Sequence, residues 1–148
     1  MKNTFTKILM IFLGVTLAFI VAGCGSSAND FDSISGLNPD KIVPSKEILV
    51  GNLEDNGYTT TEYTAVEGLD LMIDRIVSEK GNKFIDITYG LTAEEADRVF
   101  HIYENLYTDD YYILAINGNY VYCVSDKKTF SKAGFTTTAN IGVQYIHE

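Results

Sequence analysis

The sequence predicts an α+β domain in which an antiparallel sheet of four to five strands carries two or three helices packed on one face. Three observations predict this class. Residues 92–107 repeat apolar positions every three or four residues, residues 83–89 alternate as a strand does, and Asn117-Gly118 separates two runs of β-branched and aromatic residues. Helices and hairpins therefore alternate along the chain.

The first two helices have recognisable ends. Ser45 precedes an apolar-periodic stretch and Gly57 follows it where a left-handed residue would lie, so we expect a helix over 45–56. Thr92 and Glu95 have the capping-box spacing at the start of the second helix. These residues at the helix ends predict both helices, and this evidence is separate from the apolar periodicity within each helix.

The first hairpin is expected to follow an extended piece over 58–63. Its strands are predicted over 69–77 and 83–89, joined by a turn over 79–82. Alternation in the second strand indicates one buried and one exposed face. The residues that face opposite to Ile85, Ile87 and Tyr89 are Phe84, Asp86 and Thr88.

The second hairpin has two candidate registers. A type I′ turn at Asn117-Gly118 places Ile113 opposite Tyr122, because both turn residues tolerate positive φ. A type II′ turn at Gly118-Asn119 shifts every pair, and this alternative remains open.

The last segment is predicted to contain a short helix, a loop and an edge strand. Ser125 is expected to cap a short helix through Ala133, which Gly134 ends. Residues 136–140 are predicted to form a loop, and residues 142–147 are predicted to add an edge strand.

The amino terminus has the three parts of a secretory signal. Lys2 and Lys7 make a cationic start, and the apolar run over 8–22 follows. At ~1.5 Å per residue this run covers only about 22 Å of a ~30 Å hydrocarbon core, which argues against a permanent span. The chain is therefore expected to be exported.

The end of this signal, Val21-Ala22-Gly23-Cys24, resembles the lipobox of bacterial lipoproteins. The resemblance implies that the Cys24 thiol carries lipid, including palmitate, and that the protein is anchored to the outer face of the cytoplasmic membrane. It also implies a signal peptide over 1–23. We expect a lipidated, flexible tether over 24–40 and a single α+β domain over 41–148.

A second resemblance lies near the carboxyl end. Residues 110–114, the segment 118–122 and Ser125 are similar to the last third of small uncharacterised lipoproteins of Gram-positive bacteria. The residues that carry this resemblance include no catalytic motif. The resemblance implies a location at the membrane and a fold type.

The charge of the chain disfavours one class of partner. The formal charge is −9, and removal of Lys2 and Lys7 leaves 9 basic against 20 acidic residues, or −11. The overall acidity argues against nucleic acid, because phosphate-backbone affinity comes from clustered Lys and Arg that neutralise phosphates. A second, electrostatic contact with anionic lipid is disfavoured for the same reason.

Residues able to carry catalysis are few. Once Cys24 is lipidated only Cys123 remains, and an unpaired cysteine in a strand is usually a small buried hydrophobe. His101 lies among polar positions of its helix and His147 is penultimate. No nucleophile elbow, phosphate loop or zinc spacing is present, so no cofactor is expected.

Neighbouring acidic residues do not predict a metal site. Calcium requires several oxygens converging from a shaped loop, and the EF-hand spacing is absent. Capping, turn formation and solvation account for Asp109-Asp110, Glu94-Glu95, and Asp70 with Asp74.

The ten tyrosines are the remaining feature. Tyr111, Tyr120 and Tyr122 fall on one face of the hairpin under the type I′ register, with Tyr112 on the other. They are either strand formers that pack the core or an exposed interaction surface that binds protein or cell-wall glycan.

The sequence therefore favours a membrane-anchored surface lipoprotein that acts as a non-catalytic binding module. The alternatives are a cell-wall- or peptide-directed enzyme that uses Cys123 or His101, and an inhibitor or immunity-type protein that presents the acidic, tyrosine-rich hairpin to a basic target.

Overall fold

A computed structural model describes residues 36–64, 72–108 and 110–147. The predicted signal peptide, Cys24 and the tether as far as residue 35 lie outside the described residues, as do Asp70, Asp109 and the start of the strand predicted over 69–77. Within the described ranges no helix has the length and apolar character needed to cross a membrane.

The described residues form one antiparallel sheet of six strands, in the order β1-β2-β3-β5-β4-β6. The predicted α+β class is confirmed, whereas the prediction of four to five strands is too low because short strands pair at both edges. The elements in chain order are α1 Pro39–Ile42, α2 Lys46–Asp55, β1 Thr59–Tyr63, β2 Asp74–Lys80, β3 Lys83–Tyr89, α3 Ala93–Leu106, β4 Ile113–Asn117, β5 Tyr120–Val124, α4 Lys127–Ala133 and β6 Gln144–Ile146.

Helices cover both faces of this sheet, so the prediction that they pack on one face is wrong. The cluster around Leu49, Ile85 and Phe130 joins α2 and α4 to one face, whereas Val99 and Cys123 belong to a second cluster under α3. The physical reason is that the central strands are apolar on both sides, and a strand buried on both sides requires cover on both. Four successive residues of β5, over 121–124, are buried.

The helix ends follow the sequence closely, with one change. Ser45 caps α2, and Thr92 and Glu95 form the predicted capping box of α3. The cap of α4 is Asp126 and not Ser125. Ser125 Oγ instead accepts the Phe84 amide across the sheet.

The register of the second hairpin is the one that the type II′ alternative predicted. Asn117 pairs with Tyr120 and Ile113 pairs with Val124, so the two turn residues are Gly118 and Asn119. Gly118 has the positive φ of +62° that the first central position of such a turn requires.

Contacts of Asn117 explain this register. Its side chain is buried, its amide donates to the Ala139 carbonyl, and its carbonyl accepts the Ile141 amide. Asn117 therefore holds the carboxyl-terminal segment and is not available as a turn residue.

The first described residues pack on the tip of this hairpin. Pro39 of α1 is buried beside Gly118, where even a methyl group would lie 2.6 Å from the proline ring. Asp40 accepts a hydrogen bond from the Tyr120 hydroxyl. Packing onto the sheet thus includes residues that precede Lys41.

Candidate functional site

One part of the sheet face beneath α3 carries a charged and aromatic cluster that this helix leaves partly open. The helix packs chiefly on β4 and β5, and among the described residues no helix covers β1 and β2 on this face. Cross-strand partners share a face of a sheet, so Tyr63 and Arg75, which pair across β1 and β2, lie together there. We define the Arg75 site as Arg75 and Asp86 with their four aromatic neighbours Tyr63, Phe84, Tyr103 and Tyr107.

The centre of the Arg75 site is an ion pair with two parallel hydrogen bonds. Arg75 Nε lies 2.9 Å from one oxygen of Asp86, and a terminal guanidinium nitrogen lies 2.6 Å from the other. The Asp86 side chain has no exposed surface and that of Arg75 is 15% exposed. Such bidentate geometry fixes the plane of the guanidinium as well as its position.

Tyr103 of α3 and Tyr107, which follows the last residue of that helix, complete the shell around this carboxylate. The Tyr103 hydroxyl donates to one oxygen of Asp86 at 2.5 Å, and the Tyr107 hydroxyl donates to the other at 2.6 Å. Each carboxylate oxygen thus accepts two hydrogen bonds. Thr88 bonds the Tyr103 oxygen at 2.8 Å, so Tyr103 is held from both sides.

The protonation states in the Arg75 site are fixed by their surroundings. Burial, followed by the charge of Asp86, raises the pKa of Tyr103 and of Tyr107 well above its ordinary value. The hydrogen bond to Asp86 raises the pKa of Arg75. Both hydroxyls therefore remain donors, and the guanidinium remains charged.

The open edge of the Arg75 site consists of an arginine and an exposed ring. Arg75 gives two of its five N–H donors to Asp86, and no acceptor within the described ranges takes the other three. The guanidinium carbon lies 5.2 Å from the centre of the Tyr63 ring, whose residue is 43% exposed. A stacked pair, Phe84 and Tyr107 at 4.6 Å, adds two further aromatic rings to the site.

The tyrosines predicted as an interaction surface are elsewhere and do not form one exposed face. Tyr111 is buried on the α3 side, against the His147 ring at 4.5 Å. Tyr122 lies on the opposite side with no exposed surface, and burial raises its pKa to about 12. Tyr120 is half-buried on that same side and bonded to Asp40.

Cys123 and His101 are not brought together as a catalytic pair by any contact within the described residues. Cys123 lies under α3 with no exposed surface, and burial raises the pKa of its thiol. The His101 side chain is 63% exposed and 2.7 Å from Glu104, whose hydrogen bond raises the imidazole pKa. A nucleophilic thiol has a lowered pKa and some access to solvent, which is the reverse of the state of Cys123.

The acidic residues that the sequence analysis weighed for calcium serve other purposes where they are described. Glu95 closes the capping box of α3, and Asp74 bonds Lys46 at 2.9 Å. In the part of the chain that the structure describes, no three His, Cys, Asp or Glu residues are grouped so as to hold a metal ion.

Sequence analysis did not single out Arg75 and Asp86. It placed Asp86 on a supposedly exposed face of β3, but this residue and Thr88 have no exposed surface. The available signal was a carboxylate in the middle of an apolar strand, beside a strand that carries a single arginine. Register alone brings the two charges together, and the sequence left the register of β2 and β3 open.

Comparison of the chain with protein-family models, with curated proteins and with solved structures gave no match.

Proposed function

We propose that this chain is a surface lipoprotein, anchored through Cys24 to the outer face of the bacterial membrane, whose domain is a non-catalytic binding module. The observation that carries the binding role is the Arg75 site. A guanidinium is fixed on one edge by buried Asp86, and its other edge is open beside the exposed Tyr63 ring.

The chemistry of the open edge favours a carboxylate-bearing cell-wall glycan. Arginine presents paired N–H donors that match the two oxygens of a carboxylate. A flat exposed tyrosine offers a surface on which a pyranose ring can pack, with a hydroxyl at its end. Because Asp86 already fixes the guanidinium, a ligand would lose little affinity to ordering it.

The same geometry supports binding rather than catalysis. Both oxygens of Asp86 are occupied by donors, and both tyrosine hydroxyls hold their protons. A general base needs a free acceptor within reach of the substrate proton, and the described groups at the open edge are a guanidinium and a phenol. The thiol of Cys123 is buried.

The anchor is tested on the full chain expressed in a bacterium. Mass spectrometry of the membrane fraction should find an amino-terminal cysteine at residue 24 that carries a diacylglycerol group. Cys24→Ala should leave either uncleaved precursor or protein without acyl mass. Exported wild-type protein with an unmodified thiol at residue 24 would refute the anchor.

The binding role is tested with solubilised peptidoglycan fragments, which carry both pyranose rings and carboxylates. Tyr63→Ala should weaken binding by the full chain about tenfold, equivalent to about 1.4 kcal/mol, while the free energy of unfolding falls by only about 0.5–1 kcal/mol through the lost cation–π contact. Ile48→Ala is the matched control, because Ile48 is 56% exposed on α2 at the other side of the sheet. Equal binding by both variants would contradict the assignment of the Arg75 site.

A further inference from the structure

Four lysines gather at one end of this acidic molecule, on the face that α2 and α4 cover. They belong to two elements, the β2–β3 hairpin and α4. We call this group the lysine end, and its members are Lys80, Lys83, Lys128 and Lys132. The chain after residue 24 has 9 basic residues against 20 acidic ones, so this concentration is opposite to its overall charge.

A tyrosine ring brings the two elements together. The ammonium of Lys80 lies 5.9 Å from the centre of the Tyr58 ring, and that of Lys132 lies 6.0 Å from the same centre. The Tyr58 hydroxyl bonds Thr129 of α4 at 2.8 Å, and Lys80 donates to the Asn56 carbonyl at 2.7 Å. The two ammonium groups are therefore neighbours of the same ring, and the hydrogen bond of Lys80 holds one of them in place.

Like charges face each other twice in this group. Lys80 is the direct cross-strand partner of Lys83, and Lys128 is one helical turn before Lys132. Both arrangements are unfavourable for like charges. Partial burial, followed by repulsion from Lys128, Lys80 and Lys83, lowers the pKa of Lys132.

Neighbouring carboxylates do little to neutralise the group. None of the four lysines forms an ion pair with a carboxylate of residues 36–64, 72–108 or 110–147. Asp126 is close enough to attract Lys83 and Lys132, but its effect on Lys132 is smaller than the repulsion from the other lysines, and it forms no ion pair with either one. Glu79 points to the other face, because successive residues of a strand alternate.

The lysine end is also far from the point where the chain enters the sheet. Pro39 packs beside Gly118 at one end of β3 and β5, whereas the turn between Lys80 and Lys83 is at the other end. The seven residues of β3 separate the two ends by about 20 Å at ~3.4 Å per residue. In a protein tethered at its amino terminus, these lysines would lie at the end of the domain farther from Pro39.

We infer that the lysine end binds a linear polyanion that carries phosphate groups. Lysine ammonium groups bind phosphate as point charges, and several on two elements fit an extended chain of phosphates better than a single one. That the ligand is a polymer and not the membrane surface rests on the proposed function, because it assumes the anchor at Cys24. That the ligand carries phosphate rests on the four lysines alone. The overall negative charge disfavours wide contact with a lipid surface.

The inference is tested with labelled inorganic polyphosphate and the full chain purified in detergent. The double variant K128E/K132E should bind at least tenfold more weakly than wild type. The double variant K41E/R98E is the matched control, because it makes the same change of charge at exposed residues of α1 and α3 and should change the affinity less than threefold. Wild-type binding should weaken as salt rises.

Two outcomes would overturn the inference. One is an equal loss of polyphosphate binding in both double variants. That result would mean that the net charge of the chain, and not the lysine end, determines the affinity. The other is no binding of polyphosphate by the wild type, or equal binding by the wild type and K128E/K132E. Tyr63→Ala should leave polyphosphate binding unchanged. A negative result for polyphosphate binding at the lysine end can therefore be distinguished from a negative result for glycan binding at the Arg75 site.

Discussion

Replacement of Asp86 with asparagine removes the charge that Arg75 faces while it keeps the shape of the side chain nearly unchanged. The amide nitrogen can no longer accept hydrogen bonds, so it meets either the Tyr103 or the Tyr107 hydroxyl as donor against donor. The guanidinium also loses its counter-charge at a site where Asp86 has no exposed surface. Both changes act on the folded state.

The size of the effect follows from this burial. Loss of one partner of a buried ion pair costs about 3–5 kcal/mol, because the remaining charge is left without compensation. Arg75 keeps 15% of its side-chain surface exposed, so we expect the lower end, about 3 kcal/mol. The free energy of unfolding of a domain of this size is about 5–15 kcal/mol in total, so the loss is a large fraction of its stability.

Urea unfolding followed by circular dichroism measures this directly. With a slope of about 1.5 kcal/mol per molar urea, the midpoint of Asp86→Asn should fall by about 2 M. Asp74→Asn is the matched control, since Asp74 makes a 2.9 Å ion pair with Lys46 but is 52% exposed, and it should lose less than about 1 kcal/mol. If Asp86→Asn also loses less than 1 kcal/mol, the claim that this pair is a buried and compensated charge is refuted.

Three further predictions concern single residues. Gly118→Ala should destabilise more than Gly81→Ala by at least about 1 kcal/mol in urea unfolding, because both have positive φ but only Gly118 would bring a methyl group against Pro39; equal losses would contradict the packing of α1. Burial alone would raise the pKa of Asp126, but its hydrogen bonds outweigh burial and hold the pKa below its ordinary value, so its contribution is present above about pH 4 and is lost as the pH falls further. The cost of Asp126→Ala, about 1 kcal/mol at pH 7, should therefore shrink in acid, and a constant difference between pH 7 and pH 2.5 would count against the cap. Cys123 should react with a thiol reagent at pH 8 only after urea unfolding, and prompt reaction of the folded protein would disprove its burial.

Local signals account for the elements that the sequence predicted well. The capping box at Thr92 and Glu95, the cap at Ser45 and the left-handed Gly134 each act within a few residues of the helix end that they define. A turn over 79–82 was also predicted. The two turn residues are Gly81 and Asn82, because Lys80 pairs with Lys83. Such interactions depend little on the rest of the chain, so the sequence is sufficient to locate them.

The candidate site was not predictable in the same way. Asp86 and Arg75 are eleven residues apart, and the two tyrosines that complete the shell come from the end of α3 and the residue after it, which follow both strands. Composition indicated only an acidic chain with many tyrosines. Tyr111 and Tyr122 were predicted on one face by strand alternation, but Tyr111 precedes the first residue of β4 and lies on the opposite side of the sheet from Tyr122.

By itself the sequence determined most helix ends, the turn of the first hairpin, the α+β class and an amino-terminal motif that predicts a lipid anchor at Cys24, because each of these depends on residues close together in the chain. Only the tertiary structure decided that helices cover both faces of a six-stranded sheet, that Asn117 leaves the turn to hold the carboxyl-terminal segment, and that Asp86 meets Arg75. These features depend on pairing between distant residues, where a shift of one position turns every side chain to the other face.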